Sequence, residues 1–267
     1  MSNMTQSTGA SIDTERVTTP MGGFNFTALR LEITRVLRNR RTLFFILVFP
    51  SIFFFMFGIS GKSARGNSAA ADVTLAYVMI SMAVYGAMVG TTSGGASVAI
   101  ERSLGWSRQL RLTPLRPLAY VSMKVLASMT LGFLAVASTF TIGFLNGVHM
   151  APEVWLAAGL TAWVCSLVFA AFGLFVGFLF PAENVMQFVG PLLAFMAMFG
   201  GLFIPLNQLS KGMQDFARYT PMYGVGTLAR APLIGGATAW AAGSVIIWAL
   251  IFSFGAMMMF RRDTARV

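Results

Sequence analysis

Long apolar runs separated by short polar segments dominate this chain, and they predict six membrane-spanning helices. A spanning helix needs about 20 mostly apolar residues, and runs of this order recur six times along the sequence. The chain is therefore predicted to be an all-α membrane protein, with residues 24–267 forming one transmembrane domain. We place the spans at residues 43–59, 73–100, 118–148, 154–180, 185–204 and 239–260.

The segments outside these runs predict three further features. Polar residues 1–23 indicate a disordered tail. Within residues 24–41, Ile33 and Val36 share one helix face and Arg30 and Arg38 the other, which predicts an amphipathic helix at the membrane interface. The alternative is a basic flank that only orients the first span. Prolines interrupt residues 205–238, so we expect short re-entrant or outer helices before the last span.

Small residues recur at four-residue intervals in two of the predicted spans. Gly86, Gly90 and Gly94 form such a series in the second span, and Gly173 and Gly177 form a pair in the fourth. This spacing places the glycines on one helix face, where a neighbouring helix can approach closely. We therefore interpret both sets as helix-packing positions.

Charge and composition exclude a soluble protein and suggest the topology. Only 10% of the 267 residues are charged, whereas a soluble domain carries roughly 25%. Of the 19 Lys and Arg residues, 14 lie in segments that are cytoplasmic if the N-terminus is inside, and 5 lie in outer loops. This predicts a multi-pass protein of the cell inner (cytoplasmic) membrane with both termini in the cytoplasm. Since the basic residues flank apolar runs, they indicate contact with membrane lipids and not with nucleic acid.

The predicted spans contain almost no ionisable groups, which disfavours both ion-coupled carriers and membrane-embedded enzymes. Lys124 is the only charged residue within a span, and we expect it to snorkel to the interface. A single cysteine, Cys165, leaves no disulfide framework or metal cluster. Residues 61–63 resemble the end of a phosphate-binding loop, but Met56 stands where that loop needs a glycine. Energy for any transport must then come from a partner.

Residues 101–114 form the segment best suited to meet such a partner. The segment is basic, and Leu104, Trp106 and Leu110 offer apolar side chains next to Arg108, while Pro114 would end a short helix. A helix of this kind fits a groove of another protein, with its arginines setting the orientation. An ordinary basic loop is the alternative.

Three stretches of the chain resemble the ABC-2 type permease family, the membrane subunits of one class of ABC exporter. Glu32, Arg35 and Arg38, followed by a span with Pro50, are similar to the family's connecting helix and first span. The sequence of residues 101–105 and 112–115 is similar to the loop that carries the family's coupling helix. Residues 200–205, 209 and 219–221 resemble its fifth span and outer helices.

This resemblance implies a permease homodimer that works with two copies of a separate ATPase subunit, which would bind ATP and Mg. The chain itself would need no cofactor. By position, Glu101, Arg102, Gly105, Thr113 and Pro114 would contact the ATPase, and Trp106, Arg108 and Leu110 complete the candidate coupling set.

The resemblance also suggests a substrate class. Permeases of the daunorubicin-resistance type export hydrophobic or amphipathic drugs, antibiotics or lipid-like molecules, and the many Phe and Met residues suit such substrates. A role in multidrug or antibiotic resistance is therefore expected, although the sequence identifies no substrate-binding residue. The alternatives are export of a lipid-linked glycan, and a membrane scaffold or sensor partner that transports nothing.

Overall fold

Helices account for all regular secondary structure in the part of the chain that the structure, a computed structural model, describes: residues 24–60, 68–105 and 117–265. Six helical segments there are long and apolar enough to cross a membrane, which confirms the predicted all-α class with six spans. The predicted tail, residues 1–23, lies outside the described residues. We number the six segments as spans 1 to 6: Arg40–Ile59, Ala69–Ser103, Leu118–Leu145, Pro152–Leu179, Ala182–Phe199 and Ala239–Arg262.

Three of the spans contain a change or break in their helix. In span 1 the α-helix Arg40–Phe53 continues as a π-helix, Phe54–Ile59, shortly after Pro50, whose ring removes a backbone donor. Span 2 is broken into the helices Ala69–Ala96 and Val98–Ser103, and span 4 into Pro152–Cys165 and Leu167–Leu179. The other three spans are single helices: Pro117–Leu145 in span 3, Ala182–Phe199 in span 5 and Ala239–Ala265 in span 6.

The segment before span 1 forms a separate N-terminal helix, Phe26–Leu37. It ends before Asn39, whose side-chain oxygen accepts a hydrogen bond from the backbone N–H of Thr42 at 3.2 Å and so caps span 1. Asparagine favours this capping role over a helix interior. For that reason residues 24–41 form two helices where the sequence pattern predicted one.

Span 2 lies at the centre of the bundle and contacts spans 1, 3 and 4. Its glycines face span 3 closely: a Cβ added to Gly94 would lie 2.7 Å from Ser128 Oγ, and one added to Gly90 would lie 3.3 Å from the Leu131 carbonyl. At Gly86 an added Cβ would lie 2.8 Å from Pro50 Cγ of span 1. At these glycines, spans 1 and 3 therefore lie so close to span 2 that there is little room for a side chain.

Span 4 approaches span 2 more closely still. A Cβ added to Gly173 would lie 2.3 Å from the Thr92 carbonyl oxygen, and one added to Gly177 would lie 3.1 Å from the carbonyl oxygen of Ala96. Backbone thus meets backbone along this contact. The close fit holds the last turn of span 2, with Glu101 and Arg102, beside the end of span 4.

Between spans 5 and 6 lie a 3₁₀ turn, Leu206–Gln208, a short helix, Lys211–Ala217, and a longer one, Pro221–Ile234, which we call the connector helix. The connector helix packs against spans 2, 4 and 6. Two indole N–H groups of span 6 donate to backbone carbonyls just before the connector helix. Trp240 donates to the Arg218 carbonyl at 3.1 Å, and Trp248 donates to the Tyr219 carbonyl at 2.9 Å. Span 5 itself ends at Phe199, earlier than predicted, because Gly201 turns the chain with φ of 69°.

Candidate coupling site

Three helices bring five polar side chains together at one end of the bundle. The N-terminal helix contributes two of them one turn apart, the last turn of span 2 contributes one, and the first turns of span 3 contribute two. Spacings of three and four residues place each pair on a single helix face. We call this set the charge cluster: Glu32, Arg35, Glu101, Tyr120 and Lys124.

Glu101 lies at the centre of the charge cluster. Its side chain contacts both Arg35 and Lys124, and its second oxygen accepts a hydrogen bond from the Tyr120 hydroxyl at 2.9 Å. Only 6% of Glu101 is exposed. A carboxylate buried this deeply is costly unless charged groups and hydrogen-bond donors surround it. Here Oε1 contacts both cations, and Oε2 accepts from the neutral Tyr120 hydroxyl.

Glu32 completes the cluster from the N-terminal helix. Its Oε1 accepts from Lys124 Nζ at 2.6 Å and from Arg35 Nη2 at 2.9 Å. Two carboxylates therefore face two cations, so the cluster is neutral overall while each charge touches an opposite one. Because removing any single partner leaves one excess charge among the three groups that remain, the four groups depend on one another.

The position of Lys124 differs from the expectation drawn from sequence. Lys124 is only 3% exposed, so it does not snorkel to the interface. It turns inward because Glu32 and Glu101 offer it two carboxylates there. The lysine thus ties the N-terminal helix to spans 2 and 3.

Arg35 is the most exposed member, with 47% of its side chain accessible. Burial alone would lower its pKa, but the hydrogen bond to Glu101 and the charges of Glu101 and Glu32 leave the pKa raised above the usual value. The guanidinium therefore stays charged at every physiological pH. The cluster is a permanent electrostatic contact and does not titrate through Arg35.

Arg102 reaches in a different direction from its neighbour Glu101. Its Nη1 donates to the carbonyl oxygens of Phe178 at 2.8 Å and Gly177 at 3.2 Å, and its guanidinium lies 5.8 Å from the centre of the Phe178 ring. A cation at the C-terminal end of a helix interacts favourably with its dipole. Arg102 therefore joins the end of span 2 to the end of span 4.

The remaining candidates divide between exposed and undescribed positions. Arg38 is exposed at the end of the N-terminal helix, and Gly105 leaves span 2 with φ of 77° next to Leu104, which is 77% exposed. The other five coupling candidates lie outside the described residues: Trp106, Arg108, Leu110, Thr113 and Pro114. Their predicted role stays a prediction.

Sequence reasoning missed Tyr120 and the inward role of Lys124. The signal that could have found them is an isolated lysine in an apolar run, which requires a partner, with a tyrosine one turn before it on the same face. Phe260 near the end of span 6 also packs on Tyr120, with ring centres 5.6 Å apart. In the described ranges, no group of three or more His, Cys, Asp or Glu residues could hold a metal ion.

Six apolar spans with a charged network at one end define a multi-pass membrane protein in which helix ends are tied together electrostatically. A family model described as ABC-2 family transporter protein matches residues 62–260. The chain therefore belongs to the ABC-2 transporter family, which confirms the resemblance found in its sequence.

The chain is also similar to a protein of Bacillus subtilis (strain 168) named "Putative transport permease YvfS". The two are 27% identical over 211 residues, which cover 78% of this chain and 85% of the relative. The similarity thus extends over most of both proteins.

Proposed function

We propose that the chain is the permease subunit of an ATP-driven exporter, powered by a separate ATPase subunit. Family membership and the name of the Bacillus relative support a permease. The ATPase, which would bind ATP and Mg, would dock at residues 101–114 on the cytoplasmic side. In this proposal two permease copies, expected to be identical, work with two ATPase copies.

The charge cluster is the observation that carries this proposal. It lies at the start of the predicted docking segment, and Glu101 links that end of span 2 to two other helices, the N-terminal helix and span 3. A force that reaches Glu101 would therefore pass to the N-terminal helix and to span 3 through direct side-chain contacts. We propose that Glu101 and Arg102 transmit the motion, and that the residues after Gly105 make the contact.

The face of span 1 supports an apolar or amphipathic substrate. Phe45, Phe49, Phe53 and Phe57 follow one another at four-residue spacing, with successive ring centres 5.3, 6.1 and 6.1 Å apart. Phe45 and Phe49 are 46% and 41% exposed. Continuous aromatic surface of this kind binds drug-like or lipid-like molecules well, and we propose that this face borders the route of the substrate.

The decisive experiment reconstitutes the chain in nanodiscs with a candidate nucleotide-binding ATPase subunit. We expect a stable complex in which amphipathic compounds stimulate ATP hydrolysis, and Arg108→Ala should reduce that stimulation about tenfold, as expected for loss of a charged interface contact. The matched control is Arg218→Ala, which removes an exposed arginine between spans 5 and 6 and should leave stimulation unchanged.

Other outcomes point to the alternatives. Stimulation only by a lipid-linked glycan would favour glycan export. Absence of any complex, together with an unchanged ATPase in the Arg108→Ala variant, would show that the coupling assignment is wrong and favour a scaffold or sensor partner.

A further inference from the structure

Among the residues that the structure describes, one arginine is buried at the end of the bundle opposite the charge cluster. Arg230 of the connector helix is 3% exposed. Its Nη1 donates to the Gly201 carbonyl at 2.9 Å and to Ser81 Oγ at 3.2 Å, and its Nη2 lies 3.4 Å from the Gly200 carbonyl. The guanidinium also lies 4.8 Å from the centre of the Tyr77 ring. This one side chain thus joins the connector helix, span 2 and the turn after span 5.

The partners of Arg230 are neutral throughout the described residues. Its acceptors are a hydroxyl and two backbone carbonyls, and no carboxylate forms an ion pair with it. The carbonyls end span 5, so the dipole of that helix supplies a partial negative charge. Burial lowers the pKa of Arg230, with Tyr77 and Tyr223 opposing the change, but a guanidinium stays protonated in proteins.

The turn held by Arg230 closes against spans 1 and 2. The Tyr77 hydroxyl also donates to the Gly201 carbonyl, at 3.3 Å. Leu202 is buried at 3% exposure, and the ring of Phe203 lies 5.2 Å from that of Tyr85 and 5.4 Å from that of Phe53. The turn therefore covers the end of the aromatic surface on span 1.

The energetics of this contact differ from those of the charge cluster. In the cluster, full opposite charges compensate one another, so breaking it exposes both signs at a high cost. At Arg230 a full positive charge is desolvated against neutral acceptors only. Lifting the turn would admit water to the guanidinium, and hydration of the charge would offset much of the loss of these hydrogen bonds. The contact is therefore suited to open and close.

We propose that the turn at residues 200–203 is a gate at this end of the permease and that Arg230 is the latch that holds it closed. The inference rests on the proposed transport function, because a gate is useful only where a substrate passes. On opening, Arg230 releases Ser81, Gly200 and Gly201 and becomes hydrated, while Leu202 leaves its buried position. Closing restores the state seen in the structure.

The test measures the protection of a thiol at Leu202 in the full chain. Leu202→Cys is placed in a Cys165→Ala background in nanodiscs, where a maleimide reaches both ends of the protein. Adding Arg230→Gln should raise the labelling rate about tenfold, because the shorter amide leaves the Gly200 and Gly201 carbonyls without the donor that they have in the closed state, and a buried acceptor that loses its donor is costly. Ile204→Cys, already 40% exposed, reports access of the reagent and should label at the same rate with either residue at position 230.

Matched variants keep the test decisive. Arg218→Gln removes an exposed arginine from the same segment and should leave Leu202→Cys protected. Arg230→Lys retains the charge with a single nitrogen, and Tyr77→Phe removes only the hydroxyl bond to Gly201, so both should raise the rate by a smaller factor. If Arg230→Gln does not fold, these two variants decide the question.

Equal protection in the parent and in all folded latch variants would overturn the proposal. Because no ATPase is present in this experiment, such a result would leave the proposed coupling function untouched. Conversely, failure to form an ATPase complex would not change the labelling rates. The two proposals therefore fail separately.

Discussion

Glu101 accepts hydrogen bonds from three residues while only 6% of it is exposed. Its carboxylate neutralises part of the positive charge of Lys124 and Arg35, and Lys124 is buried even more deeply. A change at the Glu101 carboxylate therefore affects contacts among three helices. A substitution at Glu101 should therefore lower the stability of the permease even when no ATPase is present.

We expect Glu101→Gln to lower the free energy of unfolding by about 3 kcal/mol, because removing one partner of a buried ion pair leaves an uncompensated charge. Denaturant titration of the purified permease in mixed micelles measures the loss. Asp215→Asn is the control: its pair with Arg218 is 3.8 Å long, with 70% and 58% of the side chains exposed, so the change should stay within about 0.5 kcal/mol. Equal losses in the two variants would contradict a buried role for the Glu101 charge.

At the scale of helices, the contact between spans 2 and 4 leaves no space for an added methyl group at Gly173, where a Cβ would meet the Thr92 carbonyl at 2.3 Å. We expect Gly173→Ala to destabilise the permease by about 3 kcal/mol, since backbone cannot move aside as a side chain would. The same micelle titration measures it.

The matched control lies in span 6. A Cβ added to Gly243 would have no atom within 4 Å, so Gly243→Ala should be neutral or stabilise the helix by up to about 1 kcal/mol. If Gly173→Ala behaved like Gly243→Ala, spans 2 and 4 would not pack as closely as the structure places them.

The six spans could be predicted because each depends on local composition, which a run of apolar residues expresses directly. The charge cluster could not, because its members are remote in sequence: Glu32 and Lys124 are 92 residues apart. Sequence spacing places Tyr120 and Lys124 on one face, but which carboxylates meet them depends on how three helices cross. The pairing is therefore visible only in the folded bundle.

The contacts of Arg230, at the end of the bundle opposite the charge cluster, could not be predicted from the sequence either. Its sequence neighbourhood, broken by prolines, indicates an outer loop, and on that basis it counts among the loop charges. The fold instead buries it, because the connector helix packs against spans 2 and 4 and carries Arg230 onto the carbonyls at the end of span 5. Irregular sequence predicts breaks in helices but not what the pieces between them contact.

At the scale of the whole molecule, the two arginine-containing sites lie at opposite ends of span 2. Tyr77 contacts Arg230 and Glu101 belongs to the charge cluster, and the helical rise of 1.5 Å per residue separates them by roughly 35 Å. That distance matches the hydrocarbon core of a bilayer. Span 2 thus connects the proposed ATPase side to the proposed gate.

The orientation of this axis can be measured. With 14 of 19 basic residues on the predicted cytoplasmic side, we expect Leu104 to face the cytoplasm and Ser68 the outside. In a Cys165→Ala background, Ser68→Cys should react with a membrane-impermeant maleimide in intact cells, and Leu104→Cys only after the membrane is opened. Both positions are exposed, so burial would not account for a difference. The reverse pattern would place the charge cluster outside, where no ATPase could reach it, and would exclude ATP-driven coupling through residues 101–114.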